Sequence, residues 1–141
     1  CSRQAIAALG GCFRSLASCK GMSRTALGGE GEEGSMGRYV IVAYTPKPGK
    51  EEALLLAVRK HLRILAKEGL VSDQPGCVMR SESGAIVEVF EWRSASAIDA
   101  AHSNAAVQAL WEEFSETCEY TPLCKLPESK SMFAEFESVA L

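Results

Sequence analysis

The stretch GCVMRSESGAIVEVFEW, Gly76–Trp92, decides the fold. Two runs rich in Val, Ile, Met and Phe flank a Ser-Gly pair, which is the pattern of a β-hairpin. A tight turn at Ser83–Gly84 predicts strands over about 76–82 and 85–93. With two turn residues, Met79 stands opposite Glu88 and Cys77 opposite Phe90, and directly opposed residues share a sheet face. One face then carries Cys77, Met79, Ser81, Ile86, Glu88, Phe90 and Trp92, and the other Val78, Arg80, Ala85, Val87, Val89 and Glu91. The Val-centred set suits a surface beneath helices. The other, with rings, sulfur and a mid-strand carboxylate, suits a pocket lining.

Outward from the hairpin, the pattern completes a plait. RYVIVAYT (38–45) is β-branched and aromatic, a strand. PKPGKEE breaks it and opens a helix of roughly 49–68, with Glu51 and Glu52 at the positive end of its dipole. Leu54, Val58, Leu62 and Leu65 recur at helical spacing, and Gly69–Leu70 reads as a left-handed cap with its apolar follower. After Trp92, Ser96 with Asp99 resembles a capping box in a shorter-acid version. Ser103–Asn104 offers a break or a fresh N-cap before AAVQALWEEF, where Val107, Leu110, Trp111 and Phe114 form an apolar stripe. SMFAEFESV (131–139) reads as the last strand, reached through the polar loop EYTPLCKLPESK. The order β-α-β-β-α-β is that of a ferredoxin-like α+β fold: a four-stranded antiparallel sheet with both helices on one face. The other face needs a cover, and a second copy of the chain is the economical one.

Residues 1–37 differ from the domain expected at 38–141. Between Cys1 and Gly29 there is no Asp or Glu, while Arg3, Arg14, Lys20 and Arg24 lie among Ser, Ala and Gly. GGEGEEGSMG (28–37) follows as a Gly/Glu linker. An organellar targeting segment, a tag with its linker, and an extension upstream of Met36 all fit this composition. The location expected is cytoplasmic, or organellar if the leader is a native targeting segment.

Composition bounds the remaining possibilities. The 141 residues suffice for one domain with a full core, and 47 % hydrophobic with 23 % charged residues is globular composition. A net charge of −3 argues against a nucleic-acid partner. No apolar run has the length of a membrane span. Of six cysteines, Cys1, Cys12 and Cys19 fall in the leader and Cys77, Cys118 and Cys124 in the domain, with no CxxC pair and no zinc-ligand spacing. Free thiols and a reducing compartment are expected, and no metal site.

YVIVAYTPKPGKEEALLLAVRKH and AIVEVFEWRSASAIDAAHSNAAVQALWEEF together resemble the antibiotic-biosynthesis-monooxygenase-like proteins of the dimeric α/β-barrel superfamily. The likeness spans about 38–139 and rests on the Pro-Gly-x-Glu-Glu helix start, the hairpin ending in Glu-Trp, and the Ala-His-x-Asn-x-x-Val segment. It implies a homodimer whose sheets close a barrel around or beside a ligand cavity. Some relatives oxidise quinols or polycyclic aromatics with dioxygen and no metal or flavin, others degrade heme, and many have no demonstrated activity. The heme-degrading pattern is not met. Trp111 stands near the position of its axial histidine, His102 near that of its tryptophan, and the first strand has no asparagine.

For a cofactor-independent monooxygenase the resemblance points to His102 as general base and Glu88 as a second acid–base group. Tyr44, Met79, Phe90, Trp92 and Trp111 would hold a small aromatic ligand, with Arg80 a further candidate. Each has a structural alternative. His102 can brace the helix break, Glu88 can pair with a Lys or Arg, and the tryptophans can be core. His61, between Val58 and Leu65 on the inner edge of the first helix, reads as partly buried packing, with contact to a ligand as the alternative. An enzyme, a ligand-binding dimer and a solidly packed structural dimer all stay open.

Overall fold

The computed structural model describes residues 36–141, so the readings of the leader lie outside the described residues. Strand β1 (Arg38–Pro46) leads through Gly49, at φ 72°, into helix α1 (Glu51–Lys67). Strands β2 (Cys77–Arg80) and β3 (Ile86–Trp92) form the hairpin, helices α2 (Ala95–Ser103) and α3 (Ala105–Thr117) follow, and strand β4 (Cys118–Thr121) completes the plait. Two 3-10 turns, Leu123–Lys125 and Pro127–Lys130, precede a two-residue strand β5, Glu137–Ser138. The sheet is antiparallel in the order β4-β1-β3-β2-β5, a ferredoxin-like arrangement with one strand more than expected. Among the described residues no helix is long and apolar enough to cross a membrane.

The extra strand reassigns the C-terminal segment. β4, not 131–139, is the fourth strand of the plait. Helix α3 runs without a turn into extended backbone at Cys118 (φ −148°, ψ 172°), and that strand pairs with the end of β1. The Thr117 hydroxyl and the Cys118 thiol both donate to the Phe114 carbonyl, satisfying a helix end that water would otherwise serve. The 131–139 segment contributes only β5, against β2, and its Met132 and Phe133 are exposed.

The hairpin turn is one residue longer than expected, and this moves side chains between faces. Ser81 pairs with Ala85 (Ser81 N–H to Ala85 carbonyl, 2.8 Å), so the loop is Glu82-Ser83-Gly84, with Gly84 at φ 87°. A three-residue loop of this kind sets its last residue in the left-handed region, which glycine enters at little cost. The register becomes Val78 opposite Glu88 and Cys77 opposite Val89. Met79 and Cys77 therefore leave the Glu88 face, while Val78 and Arg80 join it. The roles of the faces also exchange. Glu88, Phe90 and Trp92 lie beneath the helices, whereas Ala43, Ala85 and Val87 on the far face pack with Leu126 from the 3-10 turns, Met79 and Phe136. Val87 is buried all the same, covered by the C-terminal segment. Tyr39 and Ile41, on that far face of β1, remain 64 % and 52 % exposed.

Helix ends follow side-chain chemistry. Ser94, not Ser96, is the N-cap of α2: in extended backbone, its hydroxyl accepts from the Ala97 N–H at 3.1 Å, and the Ser96 hydroxyl bonds to it. Asn104 ends α2 and caps α3, its side-chain oxygen accepting from the N–H groups of Ala106 and Val107. At the end of α1, Gly69 takes φ 70° and the Leu70 N–H reaches the Leu65 carbonyl, the capping pattern that Gly-Leu predicts.

Candidate functional site

Glu88 has no solvent exposure. A carboxylate in that position needs hydrogen-bond donors, since burying it without them costs several kcal/mol, roughly. They come from two elements. The Tyr44 hydroxyl of β1 donates to Oε2 at 2.7 Å, and His61 Nδ1 of α1 lies 2.9 Å from Oε2 and 3.1 Å from Oε1. Tyr44 and Glu88 share the helix-facing side because Val42 pairs with Glu88 and Tyr44 is two residues further along β1. His61 reaches them because it continues the buried stripe of Leu54, Ala57, Val58 and Leu65.

Aromatic rings enclose this network. Tyr44 stacks on Phe114 with centroids 4.8 Å apart, and the His61 ring meets Phe114 and Phe90 edge-on at 5.3 and 5.4 Å. Phe90 in turn meets Trp92 at 5.2 Å, and Tyr120 of β4 tilts against Tyr44. Burial, reinforced by the neighbouring Glu88 charge, pushes the Tyr44 phenol well above its ordinary value, so it stays protonated and donates. Among buried side chains of the described residues, His61 Nε2 and Trp92 Nε1 have no hydrogen-bond partner.

The residues expected to form a site separate into three groups. Tyr44, Glu88, Phe90 and Trp92 come together beneath the helices. Met79 lies on the other face, for the reason of register given above. His102 and Trp111 pair with each other where α2 meets α3, their rings 5.1 Å apart and the His102 carbonyl accepting from the Gln108 side chain. The partner of Glu88 is thus a histidine of its own chain rather than a Lys or Arg, and that histidine is His61, nearly fully buried and more than packing. A sequence signal for the pair existed: a mid-strand acid needing a donor, and a histidine on the buried stripe of the neighbouring helix.

A second feature lies away from this network. A cleft of about 530 Å³ beside β2 is lined by Arg80, Glu82, Glu128, Phe133, Glu135 and Glu137. Burial pushes the Glu128 carboxyl up, but hydrogen bonds from the Glu82 N–H and the Ser81 hydroxyl outweigh it and hold it below its ordinary value. Those bonds tie the 3-10 turn to the hairpin loop, a structural role. Cys77, Cys118 and Cys124 are free thiols, and burial pushes Cys118 up to about 12, which makes it unreactive at neutral pH. Among the described residues no three His, Cys, Asp or Glu side chains gather where they could hold a metal ion.

No curated protein and no solved structure matches the chain closely enough to count as similar. Residues 38–113, from the first strand through most of α3, match the family described as antibiotic biosynthesis monooxygenase. The match covers more than half of the chain and takes in Tyr44, His61, Glu88, Phe90 and Trp92, so the chain belongs to the antibiotic biosynthesis monooxygenase family.

Proposed function

We propose that the protein is a cofactor-independent monooxygenase acting on a small, electron-rich hydroxylated aromatic such as a quinol. The observation that carries this reading is the Tyr44–Glu88–His61 network, sealed among aromatic rings. A core built only for stability gains nothing from such a group, because well-packed apolar residues of similar volume are commonly as stable or more so. A dry site with a fixed carboxylate and imidazole instead suits a reaction in which an aromatic alcohol is deprotonated and then reduces oxygen itself. For a hydroxyarene with a free para C–H, or a quinol with a free C–H ortho to a hydroxyl, the phenolate passes an electron to dioxygen and the two combine at that carbon. Loss of water then leaves the quinone. One oxygen atom ends in the product and one in water, with no external reductant.

The working unit of this reading is a homodimer. Tyr39 and Ile41 leave an apolar strip on the sheet face away from the helices, and a second copy would cover it. Sedimentation of the wild type should give twice the chain mass, and Ile41→Glu should give the monomer.

Oxygen consumption tests the chemistry. With a panel of quinols and hydroxylated polycyclic aromatics, at least one compound should drive uptake and carry one atom of labelled dioxygen into product. Glu88→Gln should slow it by roughly 10²-fold or more. A second reading, a non-catalytic dimer of the same fold, draws on the close ring packing, with Phe114 1 % exposed. Binding of these compounds without oxygen uptake, or no binding at all, would favour it.

A further inference from the structure

Two atoms of the helix-facing site are buried and unpartnered among the described residues, Nε2 of His61 and Nε1 of Trp92, in side chains only 4 % and 3 % exposed. Each such atom is costly while it stays unpaired. The two side chains share a neighbour, since both the His61 and the Trp92 ring meet Phe90 edge-on. Their chemistry is complementary. An indole N–H can only donate. The carboxylate of Glu88 can only accept, so the His61 Nδ1 beside it carries the hydrogen, and an imidazole in that single-hydrogen tautomer presents a lone pair at Nε2.

We propose that His61 is the general base of this site, that Glu88 positions it, and that Trp92 Nε1–H is the second contact to a neutral hydroxyarene. The proposal rests on the monooxygenase reading and specifies its first step. The substrate O–H bond breaks, an N–H bond forms at His61 Nε2, and the electron pair stays on the substrate oxygen. The imidazolium so formed faces Glu88 at 2.9 Å, where the carboxylate stabilises it, as an acid behind a catalytic histidine does elsewhere. Tyr44, donating to the same Oε2, holds the carboxylate in place. Trp92 donates to an acceptor oxygen of the substrate. Both rings pack against Phe90 in the free chain, so binding moves that ring aside. An aromatic carboxylate is disfavoured, having no proton to give and placing a like charge near Glu88.

Nitrogen NMR of labelled protein under argon tests this without turnover. The free protein should show His61 hydrogen-bearing at Nδ1 and bare at Nε2. Hydroquinone or 1,4-dihydroxynaphthalene should shift both His61 Nε2 and the Trp92 indole N–H, the latter told from Trp111 by Trp111→Phe. Their dimethyl ethers, which accept but cannot donate, should shift Trp92 alone, and 1-naphthoate neither. In Glu88→Gln the Nδ1–H preference should be lost, and Phe90→Ala should strengthen binding. A hydrogen on Nε2 in the free protein, or no response of either nitrogen to both hydroxyarenes, would overturn the assignment. In the oxygen assay, His61→Gln should lower kcat by about 10²–10⁴-fold. Wild-type uptake with His61→Gln within twofold would refute the base and leave the monooxygenase reading standing. Nitrogen shifts as expected with no wild-type uptake would uphold the site and refute the oxidation.

Discussion

Replacing His61 by leucine removes one of the two donors that hold Glu88, while filling most of the imidazole volume. The 2.9 Å contact is lost and the carboxylate keeps only the Tyr44 hydroxyl. A charge-assisted hydrogen bond is worth about 1.5–3 kcal/mol, and a buried charge left short of its partner raises the cost to about 3–5 kcal/mol. Glu88→Leu strands two buried donors at about 1–3 kcal/mol each, and Tyr44→Phe removes one further charge-assisted bond. Taken as independent, these three losses would consume most of the roughly 5–15 kcal/mol that holds a domain together. The three groups are not independent, because each is buried to serve the others. Tyr44→Phe/His61→Leu/Glu88→Leu leaves no polar group behind and should fall within about 2 kcal/mol of the wild type, on either side. Urea denaturation measures this directly. At a slope of about 1.5 kcal/mol per M, His61→Leu should lower the midpoint by roughly 2–3 M, and the triple variant by no more than about 1.5 M. A single-variant loss under about 1 kcal/mol would mean that the buried pair holds no charge, and a triple variant as unstable as the summed singles would mean that the fold needs the network. Either result refutes the argument that these groups are kept for chemistry rather than for stability.

Alkali should destabilise the fold from about pH 9 upward, because burial raises Cys118 from 9.0 to about 12 and, with the Glu88 charge, raises Tyr44 and Tyr120 above their ordinary 10.0. Below pH 9 this contribution is complete; above it the unfolded chain releases protons the folded chain keeps, so each group adds a slope of up to about 1.4 kcal/mol per pH unit. Urea midpoints between about pH 8 and pH 11 should fall progressively, and Cys118→Ala should delay the onset; a flat profile would count against the burial. Gly84→Ala, with open space around its Cβ but φ at 87°, should cost about 1–2 kcal/mol in thermal or urea unfolding through backbone strain alone. Asn104→Ala removes the cap of α3 and the bond from its side-chain nitrogen to Glu68, and should cost about 1 kcal/mol, with Asn104→Asp close to wild type at the cap.

Periodicity made most of this fold legible from the sequence. An alternation of two residues at 38–45 and 85–92, a helical stripe at Leu54, Val58 and Leu65, and caps at Gly69 and Asn104 are local signals with local causes, and together they fix the plait. The fourth strand was not legible, because Cys-Glu-Tyr-Thr is too short to stand out from a helix end, and only its pairing with β1 makes it a strand. The face of Met79 was lost to a single loop residue, since a shift of one in a strand inverts every side chain. The candidate site divides the same way. Glu88 stood out because a carboxylate in mid-strand must be satisfied. That its donors are Tyr44 and His61 depends on how β1 pairs with β3 and how α1 crosses above them. His102 drew attention as a histidine at a helix break, yet a spacing of ten residues from Trp92 says nothing about distance once a helix begins between them. Sequence alone thus determined the elements, their order and the residue that needed an explanation. Only the tertiary structure decided its partners, because a buried charge is satisfied by whichever donors the packing of separate elements brings within hydrogen-bond reach.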